Sequence, residues 1–160
     1  MLRLLHPTDL TSVLAIEQSV HVAPWAEETF KICFQSGYMG WVIELEQQIT
    51  GFIIVSLQTE ECHVLNLCVA RAHQHQGWGQ KLLEYALSEA KKTGITIAYL
   101  EVRCSNARAI ALYKRMQFHL IGTRKDYYPT VAGNEDAFIF AKRLSEEIDE
   151  VLYGSKKSKK

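Results

Sequence analysis

Two closely spaced glycines mark the stretch with the clearest chemistry. Gly77 and Gly79 sit in Gln74-His75-Gln76-Gly77-Trp78-Gly79-Gln80, between an apolar run ending at Val69 and an amphipathic run from Leu82. The first N–H groups of a helix have no internal partner, and the helix dipole adds partial positive charge there. Glycine lets an anion approach such a turn without a Cβ in the way, so strand, glycine turn and helix make a phosphate cradle. An ordinary strand-to-helix turn has the same spacing. No Gly-Lys-Ser/Thr follows, and the turn carries two glycines rather than three, which excludes a P-loop and a full dinucleotide fingerprint. Further on, Glu101 stands at the end of an otherwise apolar strand, Ile97 to Val102, where an unpaired charge is costly. It is either a proton acceptor or half of an ion pair with Arg103, which lies two residues on and therefore on the same face. Asn106 and Tyr113 fall about 20° apart around a helix axis and face one way. Tyr113 also suits a half-buried core position, and Asn106 suits a helix N-cap.

These residues need a scaffold, and the periodicity supplies one. Leu65, Leu67 and Val69 alternate with Val64, Asn66 and Cys68. Both faces are apolar, as in a central, doubly covered strand. Leu82, Leu83, Ala86, Leu87 and Ala90 form one helical stripe, with Lys91, Lys92 and then Gly94 as a stop signal. Leu2 to Leu5 reads as a first strand. Thr8 is the expected N-cap of a helix that turns Leu10, Val13 and Leu14 inward. Ala23-Pro24-Trp25 breaks that helix, and another runs from Ala26 to Phe34. Trp41 to Leu45 and Phe52 to Leu57 predict a hairpin through Gln47-Gln48. A helix is expected from Ser105 or Asn106 to Met116, with Ile110 and Met116 covering the sheet. Phe118 to Gly122 and Ala137 to Ala141 complete the strands, with a loop at Tyr127 to Asn134 between them.

The glycine turn matches the pattern Arg/Gln-x-x-Gly-x-Gly/Ala, and the chain resembles the GCN5-related N-acetyltransferases (GNAT) from Leu2 to about Leu144. Within that family it is most similar to the RimI-like branch, the bacterial ribosomal-protein-alanine N-acetyltransferases. Ala23-Pro24-Trp25, Asn66-Leu67-Cys68-Val69, Leu100-Glu101-Val102-Arg103, Ser105-Asn106 through Ala111-Leu112-Tyr113, and Tyr127-Tyr128-Pro129-Thr130 carry this closer likeness. The resemblance implies an α/β (α+β) GNAT fold. Its mixed, mostly antiparallel sheet would have six to seven strands, splayed at the acetyl-CoA site, with about four flanking helices. It also implies acetyl-CoA as co-substrate. Leu67, Cys68 and Val69 would lie along the acetyl and pantetheine arm, and His75, Gln76, Gly77, Trp78, Gly79 and Gln80 under the pyrophosphate. Asn106 would contact CoA, with Glu101 as general base and Tyr113 as general acid. The implied acceptor is the N-terminal alanine of a small-subunit ribosomal protein, threaded between Ala23–Trp25 and Tyr127–Asn134.

Two departures stand out. His75 replaces a frequent arginine, so a fixed charge near the phosphates is lost or becomes pH-dependent. Trp78 replaces a smaller aliphatic residue. Cys68 invites an acyl-enzyme reading, but no His-Cys spacing supports its activation, and the family transfers directly. His73 and His75 lack further ligands nearby in sequence, so no metal is expected. An acetyltransferase for a small-molecule amine shares every cofactor feature, and a non-catalytic acyl-CoA-binding module shares the fold.

Lys plus Arg and Asp plus Glu number 18 each in 160 residues, so the formal charge is zero. That balance argues against a protein that grips nucleic acid broadly, and leaves room for a local charged patch. No apolar run has signal-peptide or membrane-spanning length, so no membrane partner is expected. The four cysteines are scattered, with no CxxC pair. Reduced thiols in a cytoplasmic protein, a monomer or weak dimer, are the expectation. The domain is expected over 1–144, and 145–160 as a charged, partly disordered tail.

Overall fold

The structure, a computed structural model, describes residues 1–145, so the expected tail lies almost wholly outside the described residues. The elements run β1 (Leu2–Leu4), α1 (Leu10–Val20), α2 (Glu27–Gln35), β2 (Met39–Leu45), β3 (Gln48–Gln58) and β4 (Glu61–Val69). After them come α3 (Trp78–Lys92), β5 (Ile97–Arg103), α4 (Ala107–Arg115), β6 (His119–Thr130) and β7 (Gly133–Arg143). Seven strands form one sheet in the order β1-β2-β3-β4-β5-β7-β6. Every neighbouring pair is antiparallel except β4–β5.

Apolar side chains leave both faces of the sheet and meet helices on each. On one face, Leu82, Leu83, Ala86 and Ala90 of α3 are fully buried against Trp41, Ile53, Cys62, Val64, Ala98 and Leu100. The α4 residues Tyr113, Ile110 and Leu112 join that cluster. On the other face, Val13 and Ile16 of α1 and Phe30 and Cys33 of α2 pack on Val42, Phe52, Ile54 and Cys68. The stripe on α3 is the one the periodicity predicts. Gly94, at φ +94°, stands just beyond the helix after Lys91 and Lys92.

β4 changes face part-way along. Cys62 and Val64 belong to the α3-side cluster, whereas Cys68, of the same parity, belongs to the α1-side cluster. The cause is a register shift against β3: Val55 pairs with Val64 but Ile54 pairs with Asn66, leaving Leu65 as the extra residue. Such a bulge re-aims everything beyond it. Leu65 therefore faces the α1 side while Leu67 and Val69 face α3, contrary to the single alternation read from sequence.

Three further boundaries differ from expectation. Pro7–Asp9 forms a 3-10 turn, and Asp9 rather than Thr8 stands at the α1 N-cap. The β2–β3 turn is Glu46-Gln47, both at positive φ, as a two-residue hairpin turn of the primed type requires. The expected loop at Tyr127–Asn134 is mostly strand, with Tyr128 paired to Glu135, Pro129 to Asn134 and Thr130 to Gly133. β6 is an edge strand with largely exposed side chains, so no apolar alternation announces it, and an edge tolerates Pro129.

α1 is tied to the sheet edge through Asp9. Its carboxylate accepts hydrogen bonds from Arg3 Nη1 at 2.9 Å and Nη2 at 3.0 Å, and from the His6 N–H at 2.9 Å. The Arg3 guanidinium, working against burial, holds this carboxyl below its ordinary range. A group with a depressed folded-state pKa stabilises above the carboxylate range and loses that effect as pH falls through it. Asp9→Asn is therefore expected to lower stability at neutral pH by about 1–3 kcal/mol. Denaturant melts should show the gap to the parent protein closing as the medium is acidified.

Candidate active site

The last β4–β5 pair is Val64–Leu100. Beyond it both strands continue, β4 to Val69 held by β3 and β5 to Arg103 held by β7, but they no longer bond to each other. A parallel pair that parts inside a sheet leaves two main-chain edges unbonded, and buried polar backbone requires partners. The fork opens into a cavity of about 810 Å³.

One wall is the start of α3. Gly77 occupies the N-cap at φ +85°, a left-handed conformation that favours glycine, and no side chain caps the helix. The first helical bond is from Lys81 N–H to the Gly77 carbonyl, 3.1 Å. The N–H groups of Trp78, Gly79 and Gln80 are thus without intrahelical partners, at a helix terminus that lines the cavity. His75 is also left-handed, at φ +66°. The loop is tied to the fork by Gln74, whose side-chain amide donates to the Val69 carbonyl at 2.9 Å. A Cβ on Gly79 would meet Leu112 and Val69 at an ordinary 3.8 Å, so the two glycines serve different ends.

Of the residues singled out from sequence, Leu67, Cys68, Val69, His75, Gly77, Trp78, Gly79, Gln80, Asn106 and Tyr113 line this cavity. Gln76 does not; it accepts a hydrogen bond from Trp78 Nε1 at 3.2 Å. Asn106 caps α4 by accepting from the Ala109 N–H at 3.1 Å and still faces the cavity. Tyr113 packs between Phe118 and Phe140, and burial pushes its hydroxyl up to about 12.

Glu101 is outside that lining, at the first β5 position past the fork. Alternation puts it on the α1-side face, since Leu100 and Val102 face α3. Its partner is not Arg103, which instead bonds Glu135 at 3.0 Å and the Pro129 carbonyl at 2.7 Å. Glu101 Oε2 lies 2.5 Å from His63 Nε2, and Arg124 Nε lies 3.6 Å from Oε1. The hydrogen bond from His63 draws the Glu101 pKa down, burial opposes it, and the Arg124 charge adds to the lowering. Tyr128, which senses the Glu101 charge, is raised chiefly by its own burial. Tyr113 and Glu101 thus approach the fork from opposite faces of the sheet.

His63 and Arg124 escape a reading by spacing, because only the strand register brings them to Glu101. Arg71, Arg108 and Arg115 line the cavity with His75. Arg108 also bonds Gln74 at 3.3 Å. Trp25 packs edge-on against Phe30 at 5.2 Å and donates its main-chain N–H to Glu17 Oε1 at 3.2 Å. The Cys68 thiol is pushed up by burial and the Glu17 charge, the reverse of an activated nucleophile.

A forked sheet with a helix N-terminus beside the fork sets a free strand edge next to unpartnered N–H groups, and comparison with known proteins gives the class. Residues 10–118 match the acetyltransferase (GNAT) family, and the chain belongs to that family. It is 38% identical to the [ribosomal protein bS18]-alanine N-acetyltransferase of Escherichia coli K12 over 141 residues, 88% of this chain and 95% of the relative. The corresponding Haemophilus influenzae protein is 32% identical, covering 83% of this chain and 91% of its own. The crystal structure of the Escherichia coli S18-alanine enzyme superposes with a TM-score of 0.87 at 37% identity, covering 91% of this chain and 94% of the other. Arabidopsis thaliana NAA60 in complex with acetyl-CoA shares the fold, with a TM-score of 0.79 at 18% identity over 89% and 97% of the chains.

The two glycines can be separated by experiment. Gly77→Ala forces a Cβ into left-handed backbone and is expected to cost about 1–2 kcal/mol in a denaturant melt. Gly79→Ala, inside the first turn of α3, is expected to leave stability unchanged or raise it by up to about 1 kcal/mol.

Proposed function

We propose that this protein acetylates the α-amine of an N-terminal alanine, the acceptor being a ribosomal protein of the bS18 type. The observation carrying the reading is the fork itself, with Glu101 at its branch and Tyr113 on its far side, in a chain that matches bS18-alanine enzymes along most of its length. Acetyl-CoA supplies the activated acetyl thioester. The N–H groups of Trp78, Gly79 and Gln80, with Arg71, Arg108 and Arg115, suit its phosphates. The free edge of β4 at Leu67, Cys68 and Val69 suits an extended arm added like a strand. His75, Gln76 and Asn106 complete the binding set.

Glu101, fixed by His63 and Arg124, takes the proton released as the acceptor nitrogen bonds to the carbonyl carbon. The carbon–sulfur bond then breaks toward Tyr113. A hydroxyl at about 12 stays protonated throughout the working range and donates to the departing sulfur. An α-ammonium near pKa 8 demands less of a depressed carboxylate than a lysine near 10.4 does, which favours the N-terminal amine. The same reading makes the protein a single domain over 1–144, a monomer or weak dimer acting in the cytoplasm. Among the described residues, no helix is long and apolar enough to cross a membrane.

The test is acetyl-CoA turnover with a peptide carrying a free N-terminal alanine, beside the same peptide with a blocked α-amine and a free lysine. Turnover on the first alone is expected, falling by about 100-fold or more in Glu101→Gln; turnover on the blocked peptide would contradict the reading. His63→Ala removes the main group lowering the Glu101 pKa. The acid limb of its kcat/KM profile should therefore move to higher pH, and an unmoved limb would remove His63 from the account.

A further inference from the structure

The reaction outlined above leaves three ligating side chains unused beside the cavity. Glu17 lies on α1, His21 is the C-cap four residues on, and Cys68 is on β4. One ligating atom from each, a carboxylate oxygen, an imidazole nitrogen and Sγ, lies within 4.8 Å of the other two. Glu17 is 1% exposed, an extreme for a carboxylate. Its oxygens are already oriented, Oε1 by the Trp25 N–H at 3.2 Å and Oε2 by the Asn66 amide at 2.9 Å. Such hydrogen bonds commonly hold a metal-ligating carboxylate in place.

His21 Nε2 is buried and makes no hydrogen bond, though Glu17 Oε2 lies 3.5 Å away. A buried imidazole nitrogen without a partner asks for an ion or a water. His21 and Cys68 also line the cavity, which leaves one side of the cluster open.

We propose that Glu17, His21 and Cys68 form a three-ligand site for a borderline-soft divalent cation of the Zn²⁺ class, its fourth position open to the cavity. Thiolate with imidazole selects such an ion over Mg²⁺ or Ca²⁺. Three protein ligands plus one exchangeable position is a common zinc arrangement. On binding, the sulfur–hydrogen bond is replaced by a sulfur–metal bond and the proton passes to the buffer. No spacing in the sequence points to this cluster, because α1 and β4 meet only in the folded sheet. The inference rests on the fold and is independent of the acceptor assignment.

Co²⁺ reports thiolate ligation directly. Titrating the reduced, metal-free protein with Co²⁺ is expected to produce a thiolate-to-cobalt charge-transfer band saturating at one equivalent, which Zn²⁺ then displaces. Cys68→Ala should abolish the band. His21→Ala, at a partly exposed helix end and so safe for the fold, should weaken binding by more than the ~10–100-fold typical of losing an outer-shell partner. A His73→Ala, His75→Ala double variant should bind as the parent does. Absence of the band, or a band that survives both Cys68→Ala and His21→Ala, would overturn the proposal.

Discussion

Everything in this molecule that bears on chemistry follows from β4 and β5 pairing over four residues and then parting. The register ends at Val64–Leu100, although both strands run on and each stays bonded to its outer neighbour. The extra residue at Leu65 makes this possible. It bends β4 away from β5 and turns Leu67 and Val69 toward α3, so the free edge and the side chains around it are set together. An unbonded strand edge inside a sheet is costly unless something pairs with it. The cavity at the fork is lined by residues of that edge.

The charges around the fork follow the same economy. A helix without a capping side chain begins where the β4 edge ends, and its free N–H groups are joined by guanidinium groups from two directions. Together they place positive charge at this end of the cavity without a lysine in the turn. Glu101 is the opposite case. It is a largely buried carboxylate whose charge is kept by His63 and Arg124 rather than by its sequence neighbour Arg103. The start of α3 offers main-chain N–H groups, which the sequence pattern fixes, while the carboxylate depends on side chains that only tertiary pairing can supply.

That contrast explains what could be read in advance. The α3 stripe, the left-handed Gly77 and Gly94, and the Asn106 cap are local features, written into residue type and spacing. Stretches of all seven strands were legible as apolar runs, and the family likeness implied a mixed, mostly antiparallel sheet. The bulge at Leu65 was not, because a bulge is defined by the partner strand. The long β6–β7 hairpin was missed because an exposed edge strand carries no apolar period. His63 beside Glu101, and Arg71 and Arg108 about the cavity, come from segments far apart in sequence and joined by the sheet. The Arg103 ion pair failed because two residues on one strand face have other neighbours to choose from, here Glu135.

The most direct test of the fork is amide hydrogen exchange, resolved by residue, with and without acetyl-CoA. If the β4 edge receives the extended arm as a strand, amides of Leu65 to Val69 not bonded to β3 should slow sharply on binding, together with Trp78, Gly79 and Gln80. Protection at the start of α3 with no change along β4 would contradict the central claim, leaving an anion site beside a fork that binds nothing.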